Sequence, residues 1–81
     1  MQLLLYFETS AGTFYIGESA DGRFHPIYNH ESLGSYSKIW QATEDLSLGV
    51  TYTPHQTTGE PIDTSELGIP DTPGDWDRVS R

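Results

Sequence analysis

Thr13-Phe14-Tyr15-Ile16-Gly17-Glu18, then Ser19-Ala20-Asp21-Gly22, then Arg23-Phe24-His25-Pro26-Ile27-Tyr28-Asn29 is the stretch that decides the fold class. Two runs rich in aromatic and β-branched residues flank a turn that ends in Asp-Gly. Both turn residues tolerate positive φ, so the stretch reads as a β-hairpin. Alternation along the second run puts Phe24, Pro26 and Tyr28 on one face and Arg23, His25 and Ile27 on the other. Pro26 has no N–H to give a ladder, which places this run at a sheet edge or a bulge.

Working outward, Gln2–Glu8 is a further strand, ended by the turn Thr9-Ser10-Ala11-Gly12. On the other side, Leu33–Tyr36 is expected to form a short fourth strand. Ser37 is expected to cap a helix over Lys38–Leu48, because Ile39, Ala42, Thr43 and Leu46 recur at i, i+3, i+4 and i+7. Gly49 supplies its stop. Val50–Thr53, closed by Pro54, is expected as another strand. Strands followed by one amphipathic helix give an α+β domain: a small antiparallel sheet of three to five strands, one helix packed on one face, and an acidic irregular C-terminal arm. The chain divides into a sheet–helix domain over 1–54 and an arm over 55–81 that is rich in Pro, Gly, Asp and Thr. In the arm, His55–Gly59 reads as a loop, Asp71 or Thr72 can cap a last helical turn with Pro73 near its start, and Leu67, Ile69 and Trp76 are the residues expected to pin it.

With 81 residues and 35% apolar content, the chain supports one domain with a modest core. Its ten aromatics add large buried areas. There is no cysteine, which excludes disulfides, thiolate metal sites and cysteine nucleophiles. The longest apolar run, Leu3–Phe7, is far short of a membrane span. With no secretory leader pattern, a cytoplasmic protein is the expectation.

Charge carries the functional signal. Twelve acids stand against four bases, a formal charge of −8. Six of the acids (Glu60, Asp63, Glu66, Asp71, Asp75 and Asp77) fall in the arm, with no Lys or Arg among them. Such a field repels nucleic acid and anionic membranes and attracts basic protein surfaces. Trp76, between Asp75 and Asp77, is a candidate contact anchor, since an aromatic can fill a pocket while acids meet a basic rim. It can equally fold back onto the core.

Catalytic and metal signals are poor. His25, His30 and His55 have no recognised ligand spacing. Glu44 and Asp45 are neighbours and point about 100° apart on a helix, so they form no dyad. The serines match no nucleophile elbow, and the glycines at 12, 17 and 22 are too far apart for a phosphate loop. The aromatic strands could stack bases, but four cations against twelve acids is the wrong balance for a phosphate backbone.

The residues Gly12-Thr13-Phe14-Tyr15-Ile16, Asp21-Gly22-Arg23 and Leu33-Gly34-Ser35-Tyr36-Ser37, with Ala42 and Asp45-Leu46, resemble the pattern of a group of small uncharacterised bacterial proteins. Their tail carries a Pro and Trp signature like Gly68-Ile69-Pro70 through Trp76. The resemblance implies a shared fold and no known activity. In size and acidity the chain is also similar to phage-encoded anti-CRISPR inhibitors.

The reading that results is an acidic, non-catalytic binding protein, with no cofactor and no metal, that occupies a basic surface of a nucleic-acid-handling protein as an inhibitor or nucleic-acid mimic. Its partner-binding residues are Glu60, Asp63, Glu66, Asp71, Asp75, Trp76 and Asp77. The alternative is an interaction or structural module acting through its strand edge or as a homodimer. An enzyme would need a concave pocket holding His25 or His30 beside an acid.

Overall fold

Runs rich in leucine, aromatic and β-branched residues make the first three strands: β1 (Gln2–Thr9), β2 (Gly12–Glu18) and β3 (Phe24–Tyr28). The computed structural model describes residues 1–80. A two-residue β4 (Glu31–Ser32), the helix α1 (Ile39–Leu48) and a two-residue β5 (Asp77–Arg78) complete an α+β fold. The sheet is antiparallel, in the order β4-β3-β2-β1-β5.

Asp21-Gly22 turns β2 into β3 as expected. Gly22 sits at φ 81°, and the Gly22 N–H donates to Ser19 O at 2.9 Å. Phe14 and Ile16 on β2 face the helix and are fully buried with Leu33, Ala42 and Leu46. Phe24 and Tyr28 pack against this core and Pro26 is fully buried beside it, so the expected face assignment of β3 holds.

The fourth strand lies earlier than expected, at Glu31–Ser32, and Pro26 explains why. Tyr28-Asn29-His30-Glu31 is a tight turn in which Asn29 and His30 both take positive φ (53° and 67°). Beyond Ser32 the chain still follows β3, and Phe24 and Tyr36 exchange both backbone bonds at 2.8 Å. Between those points Pro26 can only accept, from Leu33 N at 2.7 Å. The Gly34 carbonyl takes its bonds from side chains instead: His25 Nδ1 and Ser32 Oγ, each at 2.9 Å. Leu33–Tyr36 is therefore a bulged continuation that rejoins the ladder only at Tyr36.

The helix begins one residue inside the expected cap. Lys38, in extended conformation, holds the cap position, and Ser37 Oγ donates instead to Gln41 Oε1 at 3.2 Å. Gln41 Oε1 also accepts from Lys38 N at 3.2 Å. Gly49 ends the helix at φ 75°, with its N–H on Leu46 O and that of Val50 on Asp45 O. Val50–Thr53 is not a strand. Val50 N closes the helix end on Asp45 O, Tyr52 N donates to Leu33 O at 2.9 Å, and no ladder forms; the Val50 and Tyr52 side chains are largely exposed.

Residues 55–80 belong to the same core. Ile62, Thr64, Ile69 and Trp76 are each 5% exposed or less. Two helix hydroxyls fasten the segment to α1: Thr43 Oγ1 donates to Asp71 O at 2.9 Å and Ser47 Oγ to Ile69 O at 2.7 Å. Thr43, on the predicted apolar stripe, thus serves the arm. The arm ends as a strand, not as irregular chain. Leu5 pairs with Arg78 and Tyr6 with Asp77, and Val79 N donates to Leu4 O at 3.0 Å.

Candidate functional site

Residues 55–61 are exposed throughout, and from Ile62 onward every second or third residue of the arm is buried or partly buried, with the carboxylates of that stretch on the exposed positions between them. Glu60, Asp63, Glu66, Asp71, Asp75 and Asp77 are all exposed. Each also stands on backbone that a hydrogen bond or a strand pairing fixes. The arm opens with a tight turn, where Gln56 N donates to Glu60 O at 2.8 Å and Ile62 N to Pro54 O at 2.8 Å. Asp63 caps a 3-10 turn, Thr64–Glu66, its Oδ1 accepting from Ser65 N at 3.0 Å and Ser65 Oγ at 2.5 Å. Glu66 N closes that turn on Asp63 O at 3.1 Å. Asp71 is held by Thr43 through its carbonyl. Asp75 ends a second 3-10 turn, Pro73–Asp75, which has Thr72 at its cap and Pro73 in its first turn. Asp75 Oδ2 accepts from Thr72 Oγ1 at 2.8 Å. Asp77 lies in β5 opposite Tyr6. Two of the six carboxylates, Asp63 and Asp75, thus support local turns as well as facing solvent.

Trp76 stands apart from this set. It is 5% exposed, its ring centroid lies 5.9 Å from that of Phe7, and its indole N–H donates to Pro70 O at 2.9 Å. The contact-anchor expectation is corrected here: the ring is interior, and its polar atom is satisfied inside the protein. The other tryptophan, Trp40, is the exposed one, at 50%. Sequence reasoning passed over it, yet the helical period held the signal. Trp40 lies one residue, about 100°, from Ile39, off the stripe that faces the sheet.

The histidines lie apart from one another. His55 is exposed at the start of the arm. His30, at the β3–β4 turn, borders a half-open cavity of about 620 Å³ on the sheet face opposite α1, with Met1, Leu3, Tyr15, Ile27 and Ser32 among its walls. None of its lining residues is Asp or Glu. His25 is linked to an acid only through Ser19: the Nε2–Oγ distance is 3.0 Å, and Ser19 Oγ donates to Asp21 Oδ1. His25 Nδ1 lies 2.9 Å from the Gly34 carbonyl, which can only accept, so this nitrogen donates there. The carboxylate therefore engages the serine and a backbone carbonyl orients the imidazole. A nucleophilic triad has the acid on the histidine. The grouping braces the β2–β3 turn, and the Ser19 hydroxyl followed by the Arg23 backbone N–H holds the Asp21 carboxyl below its ordinary range. Among the described residues, no group of three or more His, Asp and Glu is placed to hold a metal ion. No helix among them is long and apolar enough to cross a membrane.

Tyr36 lies against α1. Burial, then the Asp45 carboxylate that its hydroxyl faces, push its pKa up to about 12, so the hydroxyl keeps its proton across the physiological range. Arg23 crosses the same cleft and donates from Nε to Ser35 Oγ at 2.6 Å and from Nη2 to Ser35 O at 3.0 Å.

No protein-family model, no curated protein and no solved structure matches this chain.

Proposed function

We propose that this protein is an acidic, non-catalytic binding protein that docks on a basic surface of a nucleic-acid-handling protein and occupies the place of nucleic acid there. The observation that carries the reading is the arm: six exposed carboxylates, each on backbone fixed to the domain, in a chain of net charge −8. Charges on a flexible tail lose entropy when they are ordered on a partner, whereas charges on folded backbone are already in place. A fixed anionic face raises association rates toward basic surfaces and discriminates against acidic ones. The compositional likeness to acidic phage inhibitors points the same way. Trp76 is left out of this surface because it is interior.

Affinity capture from lysate tests the reading, using the intact chain and a variant in which the six acids become Asn or Gln. The amides preserve size and can still accept the turn hydrogen bonds of Asp63 and Asp75. A nucleic-acid-handling protein held by the intact chain, lost by the variant and released at high salt is the expected result. Equal capture by both chains would remove the arm's charge from the account.

A further inference from the structure

The sheet, the arm and Tyr36 each touch one flank of α1, the last at Asp45, and leave one flank exposed. Ala42 and Leu46 meet the sheet side, and Thr43 and Ser47 bond the arm at Asp71 and Ile69. Trp40, Glu44 and Leu48, spaced by four, stand above one another on the next flank. Trp40 is 50% and Leu48 61% exposed, and Val50, just past Gly49, is 64% exposed. A half-exposed tryptophan and a largely exposed leucine in one helical stripe are an unusual surface for a small acidic chain. Two carboxylates are placed at it: Glu44 lies within the stripe, and at its far end Asp63 Oδ1 lies 3.2 Å from where a Cβ on Gly49 would stand. Arg23, in the cleft beside Trp40, has its Nε and Nη2 on Ser35.

We infer that this stripe is the apolar centre of the docking surface, with Trp40 as its anchor. It takes a partner segment that is apolar along one line and basic at its edges, such as a Leu- and Lys-bearing amphipathic helix. The inference rests on the acidic-docking reading and adds to it the chemistry of the contact. An apolar anchor ringed by charge is the usual arrangement of energetically dominant contacts, with Trp, Tyr and Arg the commonest anchors. Charge selects the occupant. A second copy of this chain, also of net charge −8, would bring the same carboxylates against Glu44 and Asp63, whereas a basic partner meets them with Lys or Arg while its apolar side chains cover Trp40 and Leu48.

The test uses two defined peptides and the full chain. One is a short helical peptide with a Leu face and a Lys face; the other has every Leu replaced by Ala, at equal charge. The intact chain is expected to bind the Leu peptide about tenfold more tightly, as one anchor residue supplies. Trp40 emission should shift to shorter wavelength with that peptide only. Trp40→Ala, checked for fold by circular dichroism, should abolish the preference and leave affinity for the Ala peptide unchanged. Leu48→Ala should reduce the preference, and Leu3→Ala, on the sheet face, should leave it intact. Equal binding of the two peptides by the intact chain, a preference that survives Trp40→Ala, or self-association of the chain through this stripe would overturn the inference. The underlying reading fails separately. In that case neither peptide would be weakened by salt or by the six-amide variant.

Discussion

Replacing Trp76 by Ala probes whether the acidic arm is part of the domain. The indole is 5% exposed, packs on Phe7 and donates to Pro70 O. A buried tryptophan withdraws about 150–250 Å² from water. At about 25 cal/mol per Å² this is worth ~4–6 kcal/mol as an upper bound. Truncations of buried Trp to Ala cost about 3–5 kcal/mol, and the Pro70 carbonyl loses its partner as well. A chain of this length has about 4–12 kcal/mol to lose. Trp76→Ala should therefore remove much of the stability, and Trp76→Phe, which keeps most of the packing but loses the N–H, about 1–2 kcal/mol. Urea unfolding followed by far-ultraviolet circular dichroism reads both. A loss under ~0.5 kcal/mol for Trp76→Ala, the size expected of an ordinary surface substitution, would refute the reasoning and detach the arm from the core.

Three further outcomes follow from the same geometry. Gly49→Ala should cost about 1–2 kcal/mol in urea unfolding, because φ is 75° and the new methyl group would meet Asp63 Oδ1 and Ser65 at 3.2–3.3 Å. Thr43→Val keeps the shape but leaves the Asp71 carbonyl without its donor, so it should cost about 1–3 kcal/mol and speed amide exchange in residues 69–72 ahead of the sheet. Tyr36 has a folded pKa of about 12 against an ordinary 10, so it favours the folded state below pH 10 and loses that contribution as pH rises through about 12. This hydroxyl is mostly open to solvent, so screening holds the loss to about 1 kcal/mol or less. Asp45→Asn should lower the phenolate titration below about 12 while leaving it above the ordinary value, because burial, the larger cause, remains; ultraviolet absorbance reads this.

Much of the fold was written in local chemistry. Asp21-Gly22 demanded a turn, the Ile39–Leu46 period demanded a helix with one apolar flank, and Gly49 demanded its end. The strand edges were not local. Pro26 did mark a break in the ladder, but the place where the chain pairs again depends on Asn29 and His30 both adopting left-handed backbone, a cost no pattern announces. β5 is two residues, Asp77 and Arg78, with no strand signature of their own. They pair because Trp76 is seated in the core and delivers them to β1. The site was legible in the same uneven way. The six acids were visible as charge, and their fixed support was not, because it comes from turn bonds and from Thr43 across the chain. Trp76, the candidate anchor, is interior, and Trp40, for which no role was expected, is the exposed tryptophan, although the helix period already turned it outward.

A fixed acidic face that occupies the place of nucleic acid on its partner has to compete with nucleic acid there. The most direct measurement is fluorescence anisotropy of labelled duplex DNA bound to the captured nucleic-acid-handling protein, titrated with this chain. The account predicts that the intact chain releases the DNA, that release weakens as salt rises, and that the six-amide variant fails to release it. DNA and chain bound together on the partner, without competition, would contradict it.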